Sequence, residues 1–410
     1  MIAILRHTAF RRLFMAQVVA LVGTGLLTVA LALLAYDLAG DQAGAVLGTA
    51  LAIKMVVYVT LAPLVGAMVP PGWRKPVLVA LDLVRASVAL LLPFVTEIWQ
   101  VYLLIALLQS ASAGFTPLFQ SLIPEILADE RDYTRALSLS RLAYDLESLL
   151  SPVLAAALLT IISFHGLFAG TSLGFLASAA LVLAVRFPMA RNPAAGSPYA
   201  RALRGMGIYL RTPSLRGLLS LNLCAAAGGA MVFVNTVVIV RGTLGGADRE
   251  VAVALGAFGG GSMVAALSLP WLLDRFEDRR VMMFAAGAMV TTLLCTTIAW
   301  FSLGGAISWW GLLPAWVALG MAYAGLVTPG GRLLRRAAPV ADLPFLFAAQ
   351  FSLSHACWLL AYPLAGFVGA RVGMQGALTM LCLLAAAGGV AAWRLWPSTH
   401  ATDSIGGDLR

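Results

Sequence analysis

Apolar residues run along this chain in long blocks, broken by charges or by Pro/Gly clusters. Leu13–Tyr36 is such a block, and it holds no charged residue. It is too continuous for the strict alternation of a barrel strand. It is also long enough to cross a bilayer core of about 30 Å, which takes about 20 residues of helix. Similar blocks lie near 13–36, 44–69, 76–96, 100–124, 136–163 and 166–187, then near 216–241, 250–273, 281–303, 306–329, 343–369 and 373–396. Backbone N–H and C=O groups inside lipid must bond to one another, so each block reads as a transmembrane helix. The pattern predicts an all-α integral membrane protein of twelve spans.

Composition agrees. Hydrophobic residues make up 61% of the chain and charged residues 11%, where a soluble domain carries about 25% charged. Basic residues add an orientation. With the N-terminus placed inside, 21 of the 27 Lys and Arg residues fall on the inner side, three outside (Arg241, Arg249, Arg371) and three within spans. Cytoplasmic segments carry such an excess, so both termini are expected in the cytoplasm. The net charge of +9 is that bias, and it calls for an acidic lipid surface and no nucleic acid. The four cysteines, Cys224, Cys295, Cys357 and Cys382, all fall within spans, which argues against a disulfide framework. Met1–Arg12 holds three Arg and runs straight into a full-length span, so no cleavable signal peptide is expected.

The chain reads as two halves. The only long loop, 188–215, is rich in Pro, Ala, Gly and Arg, and separates bundles at 1–187 and 216–396 from a tail at 397–410. At an offset of 205, Gln17 falls opposite Asn222 and Gly23 opposite Gly228. Thr116-Pro117 closes span four as Thr328-Pro329 closes span ten, and prolines interrupt span five (Pro152) and span eleven (Pro363). Parallel six-span repeats fit a transporter with its substrate site near the midplane between them.

With these features the chain resembles the major facilitator superfamily over essentially its whole length. A family signature of Gly, three residues, Asp-Arg and a basic pair is matched after span eight by Asp274-Arg275-Phe276-Glu277-Asp278-Arg279-Arg280, with Pro270 in place of the Gly. After span two, Gly66 and the pair Arg74-Lys75 remain, while Pro70-Pro71 occupies the Asp-Arg positions. Span five carries Ser151-Pro152-Val153-Leu154-Ala155-Ala156, similar to the family's antiporter motif, with Glu147 at its leading Gly. The resemblance implies a proton-coupled exporter of the bacterial inner membrane, in the branch of the enterobactin exporter and near the nickel- and cobalt-resistance permeases. It implies no cofactor, and a monomer.

Six charged residues fall inside spans: Lys54, Asp82, Arg85, Arg141, Asp145 and Glu147. A charge at the centre of a span costs about 2.5–3.5 kcal/mol on insertion scales, so each is expected to face protein or water. Asp82 and Arg85, one turn apart, read as a structural ion pair near the inner surface. Arg141 and Asp145 share a face of span five with Tyr144, and Glu147 lies about 200° round from Asp145. Arg141 favours the ionised form of Asp145, whereas Glu147 has no charged partner on its own helix and suits a proton carrier. Lys54, in mid-span two, needs an acidic partner or a wet cavity.

Gln17, Gln109, Asn222, Tyr144, His355, Cys357 and Trp358 are the expected cavity residues, with Phe115, Phe119 and Phe351 supplying further aromatic surface for a cationic amphiphile. His355 lies at the counterpart of the charged stretch in span five. With Cys357 it supplies the donors of a second reading, export of a divalent metal such as Ni²⁺ or Co²⁺. The two are i,i+2 and fit one ion poorly from a straight helix. No Ser/His/Asp, HExxH or paired-Cys pattern supports an enzyme. A receptor or scaffold would leave the six charges within spans without a purpose.

Overall fold

The computed structural model describes residues 2–61, 69, 71–127, 132, 136, 139–140, 143, 147, 150–151, 153–185, 198–305, 307–339 and 342–396. Among these residues every regular element is helical. The long helices are α1 (Thr8–Ala39), α2 (Ala43–Thr60), α3 (Arg74–Leu91), α4 (Ile98–Ile126) and α5 (Phe164–Leu183). After them come α6 (Pro198–Arg211), α7 (Pro213–Val237), α8 (Asp248–Arg275), α9 (Asp278–Ser302) and α10 (Trp309–Val327). The chain continues through α11 (Gly330–Ala337), α12 (Leu343–Pro363), α13 (Gly369–Val372) and α14 (Met374–Leu395). Among the described residues ten stretches are long and apolar enough to cross a membrane. The first, Thr8–Thr60, is 53 residues long and contains both α1 and α2, which brings the number of spanning helices to eleven. The remaining predicted span, the fifth (136–163), is described at scattered positions and over 153–163; it is helical as far as 158 and ends in turns.

Several boundaries depart from expectation. The segment 188–215, predicted as a loop, contains the helix α6. Its Arg204 and Arg211 are exposed while Gly205 and Tyr209 are buried, so α6 is amphipathic, which a reading tuned to uniformly apolar blocks passes over. Span one starts at Thr8 and so includes Arg11 and Arg12. A short basic helix, α11, follows span ten. Pro363 does not break its helix outright: α12 reaches it, and a π-helical turn, Leu364–Val368, follows. A second π turn, Val238–Thr243, extends α7. Proline removes one backbone donor, and a widened turn absorbs the mismatch. Asn235 donates from Nδ2 to the Ala365 carbonyl inside the Leu364–Val368 turn at 3.4 Å. Pro152 lies outside the described residues.

The chain forms two compact units, one of residues 1–195 with 236–259, the other of 196–235 with 260–410. In the first, α1 packs along α5 and against α2, α3 lies on α4 and α5, and α2 lies on α4. The α1–α5 approach is close because Gly23 and Gly174 meet, and Thr171 Oγ1 donates to the Gly23 carbonyl at 2.9 Å. Small residues permit such contact in lipid, where packing replaces the hydrophobic effect. In the second unit α9 packs on α10 and α14, and α6 lies on α12.

Candidate functional site

In the first unit, charged groups from separate helices come together. Lys54 stands in the last turns of α2, half-buried, with its Nζ 5.7 Å from the Tyr58 ring centre. Glu147, also half-buried, belongs to the fifth span, and the two side chains interact electrostatically. The charged partner of Glu147 therefore comes from α2 and not from its own helix. Gly25 of α1 admits this arrangement. A Cβ built at Gly25 would collide with the Ser151 side chain and stand 3.1 Å from Glu147 Oε1. The absence of a side chain at 25 lets the fifth span press on α1 at the acid. Gly25 is a residue the sequence reading missed, because a glycine in an apolar helix carries no mark of the surface it meets.

Arg141, Tyr144 and Asp145 lie outside the described residues, as does Gly66. Gln17 is buried on α1 and donates from Nε2 to the Ser140 carbonyl at 3.4 Å. Among the described residues its Oε1 has no hydrogen-bond partner. Gln109 is buried on α4. Asp82 and Arg85 form the expected pair, enclosed by protein: Asp82 is fully buried, and the Arg85 guanidinium lies 4.1 Å and 4.5 Å from the Phe115 and Phe175 ring centres. Phe115 and Phe119 belong to the hydrophobic core of this unit, so they supply no cavity surface.

In the second unit Asn222 is buried and donates from Nδ2 to the Leu218 carbonyl of its own helix at 3.0 Å. His355 holds its Nδ1 2.6 Å from the Phe351 carbonyl and stacks on the Phe351 ring. Cys357 Sγ donates to the Leu219 carbonyl at 3.8 Å. Among the described residues no three of His, Cys, Asp and Glu gather as a metal ligand set. Trp358 fits beside Gly229, where a Cβ would meet its ring.

The signature residues divide their work. Arg74 opens α3, and Lys75 donates from Nζ to the Leu183 and Val185 carbonyls at 2.7 and 2.8 Å. Asp274 is exposed near the end of α8, and the neighbouring Arg275 stacks 4.1 Å over Trp271. Arg279 donates from Nε to the Trp396 carbonyl at 2.6 Å, and Arg280 lies 3.8 Å from Glu277. Asp278, at a position the signature leaves unspecified, is the buried acid: it pairs with Arg336 at 2.7 Å and Arg332 at 3.3 Å, both on α11. The linker helix α6 is held on α12 by Arg204 to Asp342 at 2.8 Å and by the Tyr209 hydroxyl donating to Gln350 Oε1.

An all-helical, repeat-built polytopic bundle with charges buried in its spans is the architecture of a membrane transporter. The chain belongs to the Major Facilitator Superfamily, whose model matches residues 13–245 and 218–407. Among solved structures, the nucleoside transporter NupG superposes with a TM-score of 0.69 at 15% identity, over 94% of this chain and 98% of that one. A bacterial homologue of the human lysosomal transporter Spinster, inward-facing and unoccupied, matches at 0.69 and 12%, over 95% and 97%. A POT family transporter in complex with 5-aminolevulinic acid matches at 0.71 and 12%, over 95% and 96%. At these identities the likeness is one of fold. Comparison with curated proteins finds no match.

Proposed function

We propose that the protein is a proton-coupled exporter of small organic molecules in a bacterial inner membrane, working by alternating access with both termini cytoplasmic. The bundles 1–187 and 216–396 are the rocking halves. The observation that carries this reading is the placement of Glu147 against Gly25 and within electrostatic reach of Lys54. The two charges come from different helices, and neither is as closed off as the Asp82–Arg85 pair, which suits groups that exchange a proton and a solute. A proton on Glu147 cancels its attraction for Lys54. A cationic solute competes with that proton for the same negative charge, so binding one weakens binding of the other, which is the condition for antiport. Asp145, four residues from Arg141 in the sequence, assists as a standing negative charge.

Proteoliposomes with an internal pH dye and an acid lumen test this. Organic cations added outside should draw protons out of the lumen in the wild type. Glu147→Gln should abolish that flux while leaving the protein folded and monodisperse. Undiminished flux in this variant would remove Glu147 from the mechanism.

A further inference from the structure

We propose that α7, α10 and α12 carry a binding site for flat aromatic cations, built from Phe233, Tyr323, Trp358 and Tyr362. It deepens the reading of an organic-solute transporter and rests on it. The four rings gather around Trp358: Tyr362 at 4.9 Å between ring centres, Phe233 and Tyr323 each at 6.1 Å. These spacings fall in the range of favourable ring pairs. Gly229 is the recess that makes the cluster possible, since any side chain there would overlap the Trp358 ring.

The direction of these rings separates the site from a lipid-facing stripe. On α12 the exposed positions near Trp358 are Ala356 and Leu360, each two residues away, hence about 200° round the helix. On α10, Met321 is exposed and Tyr323 is again two residues on. Trp358 instead points at α7, whose residues are buried almost throughout. Yet Trp358, Tyr323 and Phe233 are only half-buried. A core cluster closes over its rings, and this one leaves part of three ring surfaces uncovered.

Charge defines the occupant. No Lys, Arg, Asp or Glu stands on α10 or α12, and on α7 only Arg216, in the first turn. Ring faces are negative and attract a cation when no competing positive charge is near. Stacking selects a flat, conjugated one over a saturated one of equal charge.

Ethidium, followed by fluorescence anisotropy with the full-length protein in detergent, is the probe. Wild type should bind it. Trp358→Leu, which keeps an apolar side chain, should weaken binding about tenfold and Trp358→Phe about threefold or less, as expected for loss or retention of a ring face. Tyr323→Leu is the second variant, expected to weaken binding about fivefold through the same contact. Flat proflavine should displace ethidium and tetrabutylammonium should not. The site is overturned if wild type does not bind, if both leucine variants bind as wild type does, or if tetrabutylammonium competes as well as proflavine. Binding in detergent needs no gradient. Trp358-dependent binding without proton flux would therefore refute the coupling mechanism alone, and proton flux with unaltered binding in the leucine variants would refute this site alone.

Discussion

Asp82 and Arg85 are buried so completely that neither can lose the other without consequence. Removing one member of a buried pair leaves an uncompensated charge, at about 3–5 kcal/mol, whereas replacing both by apolar groups is often neutral. Arg85→Met should therefore lower the melting temperature in detergent, and Asp82→Leu combined with Arg85→Met should recover most of the loss. If the double variant is as unstable as the single one, the pair has a role beyond satisfying itself. At Gly25 the expectation is steric. Gly25→Ala forces the new methyl into Ser151, an overpacking that costs about 1–3 kcal/mol. Ser151→Gly in the same chain should restore the melting temperature by clearing the space. Failure of that rescue would mean that α1 and the fifth span are held apart by something else.

Among the elements, the two halves cap their last spans alike. Lys75, second in the third span, bonds the last carbonyl of α5 and that of Val185 just beyond it; Arg279, second in the ninth, bonds the carbonyl that follows α14. The two residues are 204 apart in the chain, one short of the offset that relates Gln17 to Asn222. Helix ends leave carbonyls without partners, and a cation there gains about 0.3–1 kcal/mol from the dipole. Lys75→Gln and Arg279→Gln should each cost about that much in chemical denaturation, additively, because the residues share no partner. A coupled loss would show that the caps are not independent. The linker helix offers a pH signature. Burial raises the Tyr209 phenol above its usual 10.0, so the folded state favours the neutral form. Docking of α6 on α12 is then constant below about pH 10 and weakens as pH climbs toward the raised folded value. Hydrogen exchange across 198–211 should accelerate above that pH, and Tyr209→Phe should remove the dependence.

For the whole molecule, the spans were legible because lipid imposes one rule on every segment: apolar length sets helix length. The repeat was legible from Gln17 and Asn222, and the Lys75 and Arg279 caps repeat that symmetry. What escaped notice depends on partners far off in sequence. Nothing about Gly25 announces Ser151, nothing about Asp278 distinguishes it from the acids beside it, and α6 hides because its apolar face is narrow. Phe115 and Phe119 were expected at a cavity and lie in the core because an aromatic residue in a span looks the same in either place. The sequence shows that Lys54 needs an acid, but which carboxylate it meets is set by how α1, α2 and the fifth span pack. The excess of basic residues on one side sets the expected topology. A cysteine placed in the tail at Ser404 of a Cys295→Ser chain should react with a membrane-impermeant maleimide only after right-side-out vesicles are opened; labelling of sealed vesicles would reverse the orientation.

One feature of the units bears on how the protein could be divided. The first unit is not a continuous piece of polypeptide: it takes residues 236–259 from beyond the linker, and α7 and α8 each belong partly to both units. A cut in the linker therefore yields a first fragment that lacks a portion of its own contacts. Fragments 1–195 and 196–410 made separately should each be cleared by cellular quality control, whereas co-synthesis should restore both. Genes for the halves would thus behave as obligate complements and not as interchangeable modules, and swapping one half for that of a distant relative should fail unless 236–259 travels with the first.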